Sequence, residues 1–361
     1  MAAPSDPTGL AFGPTWHIGD SLKVVPILPA RSVDLVLTSP PYLGQRHYTD
    51  LPDEVGRDQN PAEYLASLLE HIGGWRRVLT KHASVAIDVG DTVATYERRS
   101  GRPDDWPIAH SLTAIPGALV WALAWGHNPF TGGESPAGRW RVRSTLTVGR
   151  TNPTPGHHGP RFAHASSTVI VASTSNQPWF DRAAAGSRLD HQIVDLDGGS
   201  TLLQLPRERQ PGLGHNAVMP ARVADLLVRS LCPAKVCTVC SKPIRSRVVD
   251  AEVRLLNRER SDRASRDGRE VGGSWISTTS FRTPSGPAVE ESCECDAPMR
   301  PGVVLDPFAG TGTTLAVAEV AARDSIGIEL HRPWVDLWPE RRQQVRRILA
   351  YERRSSRGRL R

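Results

Sequence analysis

Val303-Val304-Leu305-Asp306-Pro307-Phe308-Ala309-Gly310-Thr311-Gly312-Thr313-Thr314 is the stretch whose reading decides the fold. An apolar, β-branched run stops at an acid, crosses a glycine-rich turn and opens an alanine-rich helix over Thr314 to Ala322. This is a strand–turn–helix unit of an α/β sheet, and its glycines let the backbone approach a ligand closely. The first N–H groups of the helix suit an anionic group. A phosphate loop needs a lysine after its last glycine, where Thr313 stands, and the dinucleotide pattern G-x-G-x-x-G is absent. Beyond the helix, Asp324 to Glu329 reads as the next strand. Its terminal carboxylate is placed to accept hydrogen bonds from ribose hydroxyls.

Working outward, the same alternation recurs. Ser32 to Leu37 is an apolar run with the character of a buried parallel strand, ended by two prolines. Pro61 opens a helix in which Tyr64, Leu65, Leu68, Leu69, Ile72 and Trp75 recur at helical spacing. Strands are expected at Ala83 to Val89 and Thr168 to Ala172, and helices over Ile115 to Trp125 and after Pro220 through Leu231. Strands alternating with helices predict a doubly wound α/β sheet, which binds ligands beyond its strands' carboxyl ends. Arg245 to Glu291, rich in Arg, Ser, Gly and Asp, reads instead as a long loop.

A second chemical motif lies at a strand end. In Ser39-Pro40-Pro41-Tyr42 the two prolines fix the backbone and remove two N–H donors, so the carbonyls point in set directions. Tyr42 can stack on an extruded base while Ser39 Oγ and the Pro40 carbonyl accept hydrogen bonds from its amino group. Such acceptors answer a chemical need. An exocyclic amino nitrogen is a poor nucleophile until its protons are held and its lone pair is localised. It then attacks a sulfonium methyl in line, helped by orientation and electrostatics, with no covalent enzyme intermediate.

The Thr38 to Tyr42 loop, together with Asp306 to Thr314, resembles the amino-group DNA methyltransferases of bacteria and their phages, in the permuted β-class order with the catalytic loop first. The resemblance covers most of the chain. It implies a Rossmann-like S-adenosylmethionine-dependent fold over residues 15–236 and 297–350, with target recognition at about 179–214. Asp20, Asp306, Phe308, Gly310, Gly312, Thr313, Thr314 and Glu329 would bind S-adenosylmethionine, and Ser39, Pro40, Pro41 and Tyr42 would hold the base. Ile115 to Trp125, Arg139 to Arg143, Asn152 to Pro155 and His215 to Pro220 are similar to further family segments. Serine at the head of the catalytic loop favours cytosine N4 over adenine N6. The chain departs from its relatives at Val148 to Thr151, where Trp-x-Lys is common, and at His164-Ala165, where a His-Glu pair is common. These departures bear on target contacts.

Composition agrees with that reading. At 361 residues, with 39% hydrophobic and 23% charged, the chain has the make-up of an ordinary soluble enzyme. No apolar run reaches the about 18 residues of a membrane helix, and Met1 to Pro14 lacks a secretory pattern, so the cytoplasm is expected. The net charge of +6 suits double-stranded DNA. Arginines between Arg341 and Arg361 read as a solvated helix and a basic tail over 351–361. A cognate restriction endonuclease is an expected partner, and the oligomeric state stays open.

Cys237, Cys240, Cys293 and Cys295 form C-x-x-C and C-x-C pairs bounding a 237–296 insertion, the pattern of a structural zinc site, with disulfides the weaker alternative. Cys232 reads as a core thiol or a spare sulfur. No cysteine stands in the Pro-Cys order of a carbon-5 methyltransferase, since here Cys232 precedes Pro233. His157, His158 and His164 read as loop or DNA-facing residues, and Trp179 as an anchor that can reach DNA. Methylation of RNA or of a protein amide, and a catalytically silent DNA-binding relative, remain the competing functions.

Overall fold

The computed structural model describes residues 13–44, 54–57, 59–95, 105–150, 162, 165–186, 202–205, 219–248, 251–255, 280–284, 288–291 and 293–358. Its strands in chain order are β1 (Pro14–Ile18), β2 (Val33–Thr38), β3 (Leu79–Val89), β4 (Arg141–Arg150), β5 (Ser166–Ser173), β6 (Leu202–Leu205), β7 (Lys235–Cys237), β8 (Arg245–Val248), β9 (Ala251–Leu255), β10 (Ser280–Pro284), β11 (Ala288–Glu291), β12 (Met299–Pro301), β13 (Val303–Asp306) and β14 (Asp324–Glu329). The helices are α1 (Ser21–Val24), α2 (Pro61–Val78), α3 (Ile115–Trp125), α4 (Arg182–Gly186), α5 (Ala221–Leu231), α6 (Thr313–Val320), α7 (Arg332–Asp336) and α8 (Trp338–Gly358).

Eight strands form the central sheet in the order β1-β14-β13-β2-β3-β5-β4-β6. The strands from β1 to β3 in that order run parallel, while β5 is antiparallel to both β3 and β4. β13, formed late in the chain, lies beside β2, formed early, so strand order reverses there. Crevices at such a reversal receive ligands in open α/β sheets.

β2 is buried on both faces, and its side chains divide between two cores. Val33 and Val36 pack with Tyr64, Leu65 and Ile72 of α2 and Leu119 of α3. Leu35 and Leu37 join Val223 and Leu227 of α5, Ala316 and Val317 of α6, and Val345 and Leu349 of α8. Leu35, Val36 and Leu37 alternate between the two layers, while an irregularity in the pairing with β3 between Val33 and Leu35 sets Val33 on the same side as Val36. α2 starts at a reciprocal cap. Asn60 Oδ1 accepts from Glu63 N at 3.0 Å, Glu63 Oε2 accepts from Asn60 N at 2.9 Å, and Pro61 fills the first helical position.

Asp34, the charged residue inside β2, is fully buried and tied on three sides. It accepts from Arg300 Nη1 at 2.6 Å, from the Val303 N–H at 2.8 Å and from His82 Nε2 at 2.9 Å. Burial alone raises its pKa, but the His82 and Arg300 hydrogen bonds outweigh that and hold the carboxyl below the usual range. This knot joins β2, β3, β12 and β13 at the amino-terminal edge of the parallel strands.

Several expectations change. Part of Arg245 to Glu291, read as a loop, forms two antiparallel pairs, β8 with β11 and β9 with β10; β-strand spacing was hidden there by the polar composition. The arginine-rich C-terminus is helix to Gly358, so the 351–361 segment begins inside α8, and Arg341 is fully buried rather than solvated, donating to Thr313 Oγ1 at 2.9 Å. Trp179 is buried at 6% exposure, its backbone N–H donating to the His82 carbonyl, so it reads as an anchor rather than a DNA contact. Within the 179–214 segment, β6 pairs with β4 at the edge of the sheet. Cys232 is a buried core residue, resolving its two readings in favour of a core thiol. His157, His158, His164, Asn152 to Pro155 and His215 to Val218 lie outside the described residues. Among the described residues no helix is long and apolar enough to cross a membrane.

Replacing Arg300 with Met strands Asp34 in the interior. The expected loss is about 3–5 kcal/mol in a denaturant titration, whereas Arg332→Met, which breaks an exposed pair with Asp336, shifts the midpoint little.

Candidate active site

Both chemical motifs leave the sheet at the same edge. β2 ends at Thr38 and runs into Ser39-Pro40-Pro41-Tyr42; its neighbour β13 ends at Asp306 and runs into the glycine turn. Thr38 Oγ1 donates to Asp306 Oδ1 at 2.7 Å, a buried link between residues 268 positions apart. Along this edge lie Asp20 just beyond β1, Glu329 at the end of β14, Asp306, Ser39, and Gly90 just beyond β3.

The proline loop is held from behind. Tyr64 Oη of α2 donates to the Pro41 carbonyl at 2.8 Å, and Thr92 Oγ1 donates to the Leu43 carbonyl at 2.9 Å. Gly44 N–H donates to the Gly56 carbonyl at 3.1 Å. Pro40 is buried, while Ser39 and Tyr42 are half-buried. The Tyr42 ring lies against Gly90, where a Cβ would stand 2.5 Å from the ring. Only glycine there lets the ring settle onto the end of β3.

The glycine turn is built with equal economy of space. Gly312, the cap of α6, has φ +87°, and a Cβ on it would lie 2.5 Å from Trp338 and 2.8 Å from Trp16. Those two indoles meet edge to face with centroids 5.6 Å apart. Glu329 spans the turn: Oε2 accepts from Gly310 N at 2.7 Å and Oε1 from His331 N at 2.9 Å. Asp306 Oδ1 also accepts from Phe308 N at 3.2 Å. The Phe308 ring packs on His71 of α2, centroids 4.9 Å apart. Asp20 caps α1 through Leu22 N at 2.9 Å, and the Gly19 N–H donates to the Glu329 carbonyl.

Charge at this edge is strained toward neutrality. Burial pushes the Asp306 carboxyl up to about 6, against hydrogen bonds from Thr38, Thr314 and the Phe308 N–H. Burial raises Glu329 too, with His331 and Gly310 N–H groups opposing and Asp306 adding repulsion. His71 is lowered by burial, although the Ser67 carbonyl and Asp20 pull the other way. Asp20, Asp306 and Glu329 gather three acidic side chains at this edge, an environment that welcomes a cation or hydroxyl donors.

The eight residues expected at the cofactor and the four expected at the base therefore lie on this edge, in the two loops that leave it or, for Thr313 and Thr314, in the first turn of α6. The motifs alone did not single out Thr38, Tyr64, His71, Gly90, Thr92, Trp16 or Trp338 as site residues. Tyr64, His71 and Trp16 carry no local signal, because partners from distant strands define them. Gly90, closing an apolar strand, was the most legible of the set.

The four cysteines lie elsewhere. Their Sγ atoms lie within 4.8 Å of one another, and none is in a disulfide. Cys237 ends β7 and pairs with Met299 of β12, at the amino-terminal side of β13. N–H groups of Cys240 and Val239 favour the Cys237 thiolate and lower its pKa.

Comparison with known proteins agrees with this geometry. A family model described as DNA methylase, of the N6 and N4 type, matches residues 33–279 and 289–338. Type II methyltransferase M.SmaI of Serratia marcescens is 21% identical over 335 residues, covering 90% of this chain and 89% of the relative. Type II methyltransferase M.Cfr9I of Citrobacter freundii is 24% identical over 189 residues, 49% of this chain and 60% of that protein. Among solved structures, PvuII DNA methyltransferase (cytosine-N4-specific) shares the fold, with a TM-score of 0.51 and 18% identity over 96% of this chain and 94% of that one.

The raised Asp306 carboxyl sets a sign. A carboxyl with a pKa above its unfolded value binds protons more tightly when folded, so its contribution to stability falls as pH rises from about 4 to about 6. The stability of the wild type relative to Asp306→Asn is expected to drop across that window by on the order of 3 kcal/mol, then level off, in denaturant midpoints taken at several pH values. A flat difference would mean the carboxyl is not buried as described.

Proposed function

Because the chain belongs to the N6/N4 DNA methylase family, we propose that it transfers a methyl group from S-adenosylmethionine to the exocyclic N4 of cytosine in double-stranded DNA. The observation that carries this reading is the meeting of the Ser39 loop and the Gly310 turn on adjacent strands, tied by Thr38 and Asp306. The residues fit the cofactor by their chemistry. Glu329 and Asp20 offer carboxylates to ribose hydroxyls and adenine, the Phe308 ring offers an apolar face, and the acidic edge suits a sulfonium cation. When bound, S-adenosylmethionine supplies an electrophilic methyl group.

The chain's own part is to hold a base and prepare its nitrogen. Tyr42, braced on Gly90, presents its ring to the face of an extruded cytosine. Ser39 Oγ and the Pro40 carbonyl accept the two amino protons and localise the lone pair. Tyr64 and Thr92 occupy the neighbouring Pro41 and Leu43 carbonyls, which fixes the loop's direction. Held this way, the nitrogen lone pair would stand in line with the methyl group that S-adenosylmethionine would supply. The spare proton then leaves by way of Ser39 or water. Buried donors and acceptors set in advance are the main source of rate.

Serine at the head of the loop supports N4, as does the fold shared with a cytosine-N4-specific enzyme. Likeness to Type II methyltransferases supports a place in restriction–modification beside a cognate endonuclease, acting where the DNA lies, in the cytoplasm. In the same reading residues 15–236 and 297–350 form the catalytic domain, with target contacts from 179–214, and a zinc ion sits on Cys237, Cys240, Cys293 and Cys295.

Incubation of DNA with methyl-labelled cofactor, followed by nucleoside analysis, is expected to yield N4-methylcytosine. N6-methyladenine would overturn the base assignment, label in RNA or protein only would overturn the substrate, and no transfer at all would mark a silent relative. In the same assay Ser39→Ala is expected to lower kcat about 100-fold with little change in cofactor Kd.

A further inference from the structure

The cysteine quartet has the geometry of one small ion. A tetrahedral zinc with Zn–S near 2.3 Å holds its sulfurs about 3.8 Å apart, and here all four Sγ atoms lie within 4.8 Å of one another. A four-iron cluster seats each cysteine on its own iron and needs wider spacing. The backbone is shaped for the purpose. Cys237 N–H donates to the Lys242 carbonyl and Ser241 N–H to the Cys237 carbonyl, both at 3.0 Å, with Ser241 at φ 56°. Cys240 N–H points to Cys237 Sγ at 3.5 Å. From the other arm, the Pro298 carbonyl accepts from Thr238 N at 3.1 Å and from Thr238 Oγ1 at 2.9 Å.

One residue beyond Met299, the partner of Cys237, stands Arg300. Its guanidinium enters the sheet and grips Asp34 of β2, while the next strand, β13, ends in the glycine turn. Gly302 is pressed against this joint, since a Cβ there would stand 2.2 Å from the Pro233 carbonyl. The two cysteine arms are therefore anchored to the amino-terminal ends of the strands whose carboxyl ends carry both catalytic loops.

We infer that the zinc on these four thiolates is a structural clasp for the central sheet, acting on β2 and β13 through the Arg300–Asp34 pair, and takes no part in methyl transfer. The inference rests on the zinc reading above. Binding displaces the thiol protons and changes no oxidation state. The ion locks β7 to β12, β12 presents Arg300 to Asp34, and the pair keeps β2 and β13 in register. A zinc on an independent flap would leave the sheet indifferent to its loss.

Metal analysis of the full-length protein tests the ion, and hydrogen exchange tests the coupling. About one zinc per chain is expected; iron, or no metal in a folded chain, overturns the metal assignment. Cys240→Ser and Cys295→Ser change exposed positions. Each is expected to abolish zinc binding, lower the midpoint of a single unfolding transition and speed amide exchange at least 10-fold in Val33–Thr38 and Val303–Asp306. Methyl transfer measured well below that midpoint stays within about 2-fold in kcat. Zinc loss with unchanged exchange in those strands overturns the clasp while leaving the zinc assignment intact. A fall in kcat with the fold preserved overturns the structural role. Should the serine variants not fold, wild-type protein stripped by a chelator and reloaded with zinc gives the same readout, with exchange in both strands slowing on reloading.

Discussion

A single buried hydrogen bond, Thr38 Oγ1 to Asp306 Oδ1 at 2.7 Å, joins the two halves of the proposed chemistry. It sits where two adjacent parallel strands end, and each strand passes directly into one of the two loops. Its meaning comes from its cost. Burial pushes the Asp306 carboxyl up to about 6, so this acid stays at the edge only because Thr38, Thr314 and the Phe308 N–H compensate. A fold with no use for an acid there gains by placing an apolar residue instead. The arrangement makes sense if the edge receives a cationic cofactor and its hydroxyls.

The strands that carry this edge are held at their opposite end by a second buried acid, Asp34, with Arg300 and His82. Two charged anchors therefore bracket β2 and β13, one at each end, with packed Val and Leu between them. The two loops emerge from strands tied at both ends, and the proline pair fixes the backbone one step further. Rigidity of this kind is what in-line methyl transfer asks of a protein, because the reaction gains most from orientation.

Much of this was legible in the sequence. The runs Val303 to Asp306 and Asp324 to Glu329 and the helix Ile115 to Trp125 have the bounds their apolar patterns gave. Pro-Pro and the glycine turn marked the two loops because few residue types permit those backbones. What escaped notice depends on partners remote in the chain. Tyr64 reads as one more helical apolar position until its hydroxyl meets the Pro41 carbonyl. His71 gains a role only from Phe308, and Arg341, one arginine in a charged run, is buried because Thr313 lies beneath it. The insertion misled for another reason: its strands are short, paired only with each other, and carry polar residues that erase the alternation.

The central claim is spatial, that one crevice holds both the sulfonium and the target amine between Gly310 and Ser39. A crystal structure with duplex DNA and an unreactive cofactor analogue, bearing nitrogen in place of the sulfonium, measures it directly. The account predicts the analogue's ribose on Glu329 and an extruded cytosine whose amino group meets Ser39 and the Pro40 carbonyl. An analogue seated away from the Gly310 turn, or a base that never leaves the duplex toward Tyr42, would contradict it.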